Sequence, residues 1–351
     1  MAKRDDPRQL NLFGVAAEPS AGAPAASASA PTKHGNSRVG PAAVGEDWAE
    51  LARKLPSEIR IGTSSWSFPG WVGLVYDRSA SEQTLARHGL AAYARHPLLR
   101  MVGIDRSFYA PLGRAAFQDY AAAVPEHFRF LCKAFDGVTS PLVRTGAGDS
   151  GMRYGESPHF LDAAFAAEQV VRPFVDGLGE KCGPLVFQFV PMSRQAMGKP
   201  VVFLDRLAAF LAALPRSAML AVEIRNRELL TTRYASVLRD LGVAHCYNVH
   251  PSMPTIAEQR QMIAVETQPA AVVRWMLNRK FDYESAKNAY APFDRIVDAD
   301  VATRAEIANL CGQAAILQKL VFVAINNKAE GSAPLSLREL AREIVLGREK
   351  A

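Results

Sequence analysis

From Ile59 onward the chain alternates between two kinds of hydrophobic pattern. Short runs rich in Val, Ile, Phe and Leu recur at Arg60–Thr63, Met101–Asp105, Phe128–Lys133, Leu185–Val190, Met219–Ile224, His245–Asn248, Ala271–Met276 and Val321–Asn326. None alternates cleanly between apolar and polar, as expected of strands buried on both faces of a parallel sheet. Helical patterns lie between them. Leu85–His96 is one, and Ser157-Pro158 reads as an N-cap with proline at the first helical position. Leu229–Leu241 stops at Gly242, a C-cap residue, and Ser336-x-x-Glu339 has the form of a capping box opening the final helix. About eight βα units in one chain predict an α/β fold, a (β/α)8 TIM-like barrel forming a single domain over 55–348. An open doubly wound sheet is the alternative, but no GxGxxG turn follows a strand.

Upstream the pattern disappears. Residues 15–45 are Ala, Pro, Ser and Gly with few bulky side chains, too little apolar surface to offset the entropy of ordering. Residues 1–50 are therefore expected to be a disordered tail. It carries one apolar island, Gln9-Leu10-Asn11-Leu12-Phe13, a candidate docking motif. The 351 residues, 49% of them apolar, suffice for a large core. The net charge of +6 is distributed among interspersed acids and bases, which permits an anionic partner without requiring one. No secretory h-region and no run of membrane-spanning length occurs, so the expected setting is cytoplasmic, without a membrane partner. Cys132, Cys182, Cys246 and Cys311 are isolated and are expected to be reduced, mostly buried thiols.

Barrel chemistry sits at the C-terminal ends of the strands, so the last residues of each run define a candidate site. Asp105, Glu223 and Lys133 are the catalytic candidates. Ser64, Trp66, Arg106, Tyr109, Gln188, Arg225, Asn248, Arg274, Asn326 and Asn327 are the ligand-binding ones. A period of two points Glu223 and Arg225 the same way. Arg106, Lys133, Arg225 and Arg274 against Asp105 and Glu223 suit a phosphate or carboxylate ligand, with Lys133 either a point charge or a base of shifted pKa. Trp66, Trp71, Phe108 and Tyr109 could stack a base or a sugar. The plainer alternative is that Glu223 and the arginines simply satisfy one another. Asn326–Ser332, leading into a helix, offers a backbone anion cradle, and Asp136–Glu156 a loop over the mouth. Gly62 would admit another backbone or a ligand at close range. The cofactor is open: a divalent metal is compatible with Asp105 and Glu223, but no ligand motif is present. His245, within a strand, is expected to be a packed core histidine; no GxSxG elbow or P-loop occurs.

From about Ile59 to Ile344 the chain resembles the YecE-like family of domains of unknown function. The resemblance rests on Gly-Thr-Ser-x-Trp-Ser-aromatic at Gly62–Phe68 with Trp71, Phe108-Tyr109, Phe-Arg-Phe-x-x-Lys at Phe128–Lys133, and Gly-Pro-Leu-x-Phe-Gln at Gly183–Gln188. Glu223-x-Arg225, Arg274 and Asn326-Asn327 complete it. It implies a TIM-like barrel, distantly similar to sugar isomerase and endonuclease barrels, with no settled activity. Where the family has Glu-x-Asn on the second strand, this chain has Gly103-x-Asp105 followed by Arg106. If that missing Glu carries chemistry elsewhere, Asp105 or Glu223 substitutes for it here or this branch acts differently. Independently, Gln9–Phe13 resembles the bacterial sliding-clamp-binding pentapeptide, with Gln9, Leu12 and Phe13 as anchors, which implies a clamp partner and proximity to DNA. Three functions remain: an enzyme acting on a phosphorylated substrate or nucleic acid, a sugar isomerase-like enzyme, and a non-catalytic ligand-binding adaptor.

Overall fold

All eight apolar runs form strands, and the strands close on themselves. The computed structural model describes residues 39–148 and 151–349. The barrel is built from β1 (Ile59–Thr63), β2 (Met101–Ile104) and β3 (Arg129–Lys133), and, beyond a hairpin of β4 (Leu142–Gly148) and β5 (Gly151–Glu156), from five further strands. These are β6 (Cys182–Phe189), β7 (Leu220–Ile224), β8 (Ala244–Val249), β9 (Ala271–Trp275) and β10 (Val321–Ile325). Barrel strands pair in parallel with their neighbours in the chain, and β10 returns to β1. The α/β barrel expected from the sequence is the fold.

Alternation along each strand divides the core. Met101, Leu131, Val186, Ala221, Ala244, Cys246, Val272, Phe322 and Ala324 fill the interior. Val102, Phe130, Cys132, Phe187, Val222, Tyr247, Val273 and Val323 pack outward into the apolar layer beneath the helices. Continuing the inward series by two residues brings Lys133, Gln188, Glu223, Asn248 and Arg274 to the C-terminal mouth. Gly62 is required by packing: a Cβ there would lie 1.8 Å from the Met101 carbonyl oxygen on β2.

Several local expectations are corrected. Leu85–His96 is not one helix but two, Glu82–His88 and Leu90–Tyr93, joined at Gly89. Ser157-Pro158 begins a turn rather than a helix. The Ser157 hydroxyl donates to the Gly137 carbonyl, and Asp162 instead caps the helix Ala163–Ala166. Asp136–Glu156 is a short helix plus the β4–β5 hairpin rather than an irregular loop. The final helix, Ala333–Glu349, begins three residues before Ser336, which is buried inside it. Its first N–H, on Ala333, donates to Asn327 Oδ1 at 2.8 Å, a cap that no local pattern announces. Gly242 does end the helix Thr232–Leu241, in the left-handed conformation with φ 61°.

The folded domain also starts upstream of residue 55. Val39 is buried, Ala42 N–H donates to the Val75 carbonyl, and the helix Glu46–Lys54 buries Trp48 and Ala52. Gln9, Leu12 and Phe13 lie outside the described residues. Cys132, Cys246 and Cys311 are buried and Cys182 is half-buried; all are thiols. Among the described residues, no helix is long and apolar enough to cross a membrane.

Candidate functional site

The innermost layer of the mouth is a buried charge cluster. β7 presents Glu223 and, just past its end, Arg225; β9 presents Arg274; β6 presents Gln188. Arg225 Nε and Nη2 lie 3.0 and 2.9 Å from Glu223 Oε1, and Arg274 Nη1 donates to Oε2. Gln188 Oε1 accepts from both arginines, at 2.6 Å from Arg274 Nη1 and 3.3 Å from Arg225 Nη2. Burial alone would push the Glu223 carboxyl up, but the two guanidinium groups overcome this and hold it at about 2. Glu223 thus stays ionised near neutral pH with both oxygens taken up. Its partners there are Arg225 on Oε1 and Arg274 on Oε2.

Above this layer, Lys133 at the end of β3 reaches Asp105 Oδ1 at 3.1 Å, with its Nζ 4.3 Å from the centre of the Phe108 ring and 5.9 Å from that of Tyr109. Burial, reinforced by Arg274 and Arg225, brings the Lys133 amine down to about 8 against the opposing pull of Asp105. The Asp105 side chain is 37% exposed and so connects this amine to solvent. A second lysine, Lys328, follows β10. It is buried with Nζ 4.0 Å from the Tyr283 ring centre and 5.7 Å from that of Phe293. Burial and Lys287 bring it to about 8 as well, opposed by Glu284 and Asp105.

His250 lies beside the cluster, two residues beyond Asn248. Burial, with Arg225 next in weight, lowers its pKa to about 3, so the ring is neutral. Among the described residues, the buried polar atoms without a partner include four at this end of the barrel: Gln188 Nε2, Asn248 Oδ1, His250 Nε2 and Asn327 Nδ2. Among the described residues, no group of three or more His, Cys, Asp or Glu is arranged to hold a metal.

Residues 60–351 match the family described as "Protein of unknown function DUF72". The chain belongs to the DUF72 family. This is also the family of the YecE-like resemblance. The barrel of this DUF72 chain is similar to two solved family members. One is a DUF72 family protein from Thermotoga maritima MSB8, 18% identical, covering 81% of this chain and 98% of that one, with a TM-score of 0.52. The other is from Enterococcus faecalis V583, 17% identical, covering 81% and 95%, with a TM-score of 0.50. At such identities the likeness establishes the shared fold alone. No curated protein matches the sequence.

The DUF72 mouth gathers most, but not all, of the residues expected there. Asn326 Nδ2 donates to Ser64 Oγ at 2.8 Å, tying the ends of β10 and β1 together. Asn248 Nδ2 donates to the Ile224 carbonyl at 3.1 Å. Tyr109 is half-buried beside Lys133, whereas Arg106 is exposed, outside the buried cluster. Asn327 Oδ1 accepts from Trp71 Nε1 and Ala333 N, so its oxygen is structural and the expected backbone cradle has its first N–H already occupied. Trp66 is a correction. Its Nε1 donates to the Leu85 carbonyl at 3.1 Å and its ring meets Tyr120 edge-on, which places it among the helices rather than at the ligand. Trp71 is fully buried, so neither indole is a stacking surface. His245 is the core histidine expected, held between Tyr234 and Gln259. His250 and Lys328 were not foreseen. For His250 a signal existed, because Cys246, Asn248 and His250 continue one inward period.

Proposed function

We propose that the barrel mouth binds the oxyanion of a small substrate, phosphate or carboxylate, and that Lys133 moves a proton on it. The observation that carries this reading is a concentration of buried cations at the mouth. Lys133, Arg225, Arg274 and Lys328 are all buried at one end of the barrel, with Glu223, Asp105 and Glu284 as acids near them. Desolvated cations gathered in one place make a favourable environment for an anion. Lys133 suits proton transfer because a desolvated amine beside other cations is a base at near-neutral pH, with Asp105 as its outlet to water. Glu223 acts as the counter-ion that aims the arginines. With Trp66, Trp71 and Phe108 buried, three of the four expected stacking surfaces are closed to a base, which favours a small molecule.

Calorimetric titration with propyl phosphate tests this. Binding is expected to weaken about tenfold or more in Lys133→Met and in Lys328→Met, the loss of one charge-assisted contact each, with unfolding midpoints retained. Absence of binding by phosphate or carboxylate ions to the unaltered protein would overturn it.

The tail motif supports a second, separable role, docking on a DNA sliding clamp through Gln9, Leu12 and Phe13. Leu12→Ala combined with Phe13→Ala is expected to abolish co-purification with the clamp; retention would refute docking.

A further inference from the structure

We infer that His250 is a ligand-binding N–H donor and that the ligand is a hydroxylated anion, one carrying a hydroxyl close to its phosphate or carboxylate. This deepens, and rests on, the anion-binding reading of the mouth.

Hydrogen-bond geometry assigns the tautomer. Ser252 N–H donates to His250 Nδ1 at 3.2 Å, so Nδ1 is an acceptor and the ring proton sits on Nε2. The Ser252 hydroxyl, with one proton to give, lies 2.8 Å from both Nδ1 and the Arg225 carbonyl oxygen, whereas the Ser252 amide can only donate, and it is the amide that makes Nδ1 the acceptor. The charged groups around the ring are Arg225 and Glu223 from β7 and Arg274 from β9. A second proton would have to sit beside two guanidinium groups in a residue only 6% exposed. The imidazole is therefore a neutral donor across the physiological range.

Nε2 is buried and has no partner among the described residues. A buried N–H left without an acceptor has given up its hydrogen bond to water for nothing, so such an atom calls for an occupant. Gln188 repeats the pattern. Its Oε1 is taken by Arg225 and Arg274, which leaves its Nε2 as a second donor without a partner. Two neutral N–H donors and two guanidinium groups around one carboxylate make a donor-rich shell, suited to an oxyanion.

Asn248 supplies the opposite polarity. Its Nδ2 is committed to the Ile224 carbonyl, which orients Oδ1 as an acceptor, and that oxygen is buried without a partner. An oxyanion would be repelled by it, whereas a hydroxyl would donate to it. Donors for the anion and an acceptor for a neighbouring hydroxyl together describe a hydroxy acid or a polyol phosphate.

Calorimetry on the full chain with glycerol 3-phosphate and propyl phosphate tests this, since the two share charge and differ in hydroxyls. Glycerol 3-phosphate is expected to bind about tenfold tighter, and Asn248→Leu to erase that difference while propyl phosphate still binds. His250→Leu is expected to weaken both about tenfold, with part of the loss restored in His250→Gln, which again offers an N–H. Nitrogen-15 NMR of the unaltered protein is expected to show His250 neutral and protonated on Nε2 from pH 5 to 8, with that resonance moving on ligand addition. Equal affinity for the two phosphates, or a His250 resonance indifferent to bound ligand, overturns the inference and leaves the anion site standing. Failure of both phosphates, and of glycolate and propionate titrated in the same way, to bind overturns both.

Discussion

Glu223 lies between two guanidinium groups that occupy both of its oxygens, so its removal strands two buried positive charges. Glu223→Gln is therefore expected to lower the unfolding free energy by about 3–5 kcal/mol, the usual cost of breaking a buried ion pair from one side, measurable by urea denaturation. The same pairing predicts a pH dependence. The folded-state pKa, about 2, lies below the ordinary 4.5, so the stabilisation is complete above 4.5 and fades as pH falls from 4.5 towards 2. The acid limb of stability should flatten in Glu223→Gln relative to the unaltered protein. A variant that kept full stability and lost only turnover would instead make Glu223 a proton carrier. Much of this residue layer was legible beforehand. Glu223, Arg225, Gln188, Asn248 and Arg274 all follow from strand periodicity applied to an assumed barrel. Trp66 was misplaced because it lies three residues past the end of β1, whereas Arg225 and His250 directly follow their strands and still keep the period. Lys328 was missed because it lies in a turn after β10, placed by packing against Tyr283 and Phe293 that sequence spacing does not encode.

The elements differ in how far local rules decide them. All eight barrel strands were visible because strands buried on both faces need continuous apolar runs, whatever their partners. Gly62 was visible as a close-approach residue, and the Met101 carbonyl is what approaches it. Helix ends were less legible wherever the cap is distant in sequence. The start of Ala333–Glu349 is fixed by Asn327, whose amide oxygen also accepts from Trp71 on the far side of the barrel seam. Ser336 and Glu339, which have the spacing of a capping box, fall inside that helix instead, and the Ser336 hydroxyl is buried. A local signature is satisfied by composition alone, whereas a cap must also coincide with the place where tertiary packing lets the helix begin. The link from Trp71 through Asn327 to the last helix therefore couples the segment after β1 to the end of the chain. That coupling makes barrel closure a property of elements rather than of single residues.

On the scale of the whole molecule, the segment 39–58 belongs to the barrel although its composition resembles a tail. The helix Glu46–Lys54 sets Trp48 edge-on against His96, with ring centres 4.9 Å apart, and beneath Arg338 of the last helix. Asp47 pairs with Arg338 and lies 3.6 Å from Arg342, joining the first helix to the last. Arg100, just before β2, donates to the carbonyls of Ala52, Leu55, Pro56 and Ile59, collecting the acceptors left open at the end of that helix. The guanidinium also carries the positive charge that a helix C-terminus favours. A chain shortened to begin at Val39 keeps every one of these contacts and is expected to unfold at the same denaturant midpoint as the full chain. One shortened to begin at Glu58 loses buried Trp48, Ala52 and Leu55 and leaves Arg100 without three of its four acceptors. It is expected to lose at least about 3 kcal/mol, the scale of removing one buried aromatic side chain. Equal midpoints for the two shortened chains would place the domain boundary no earlier than residue 58, close to where composition alone suggests. A full loss already at Val39 would instead make the first 38 residues part of the folded domain, and would weigh against a tail whose role is to carry a docking motif.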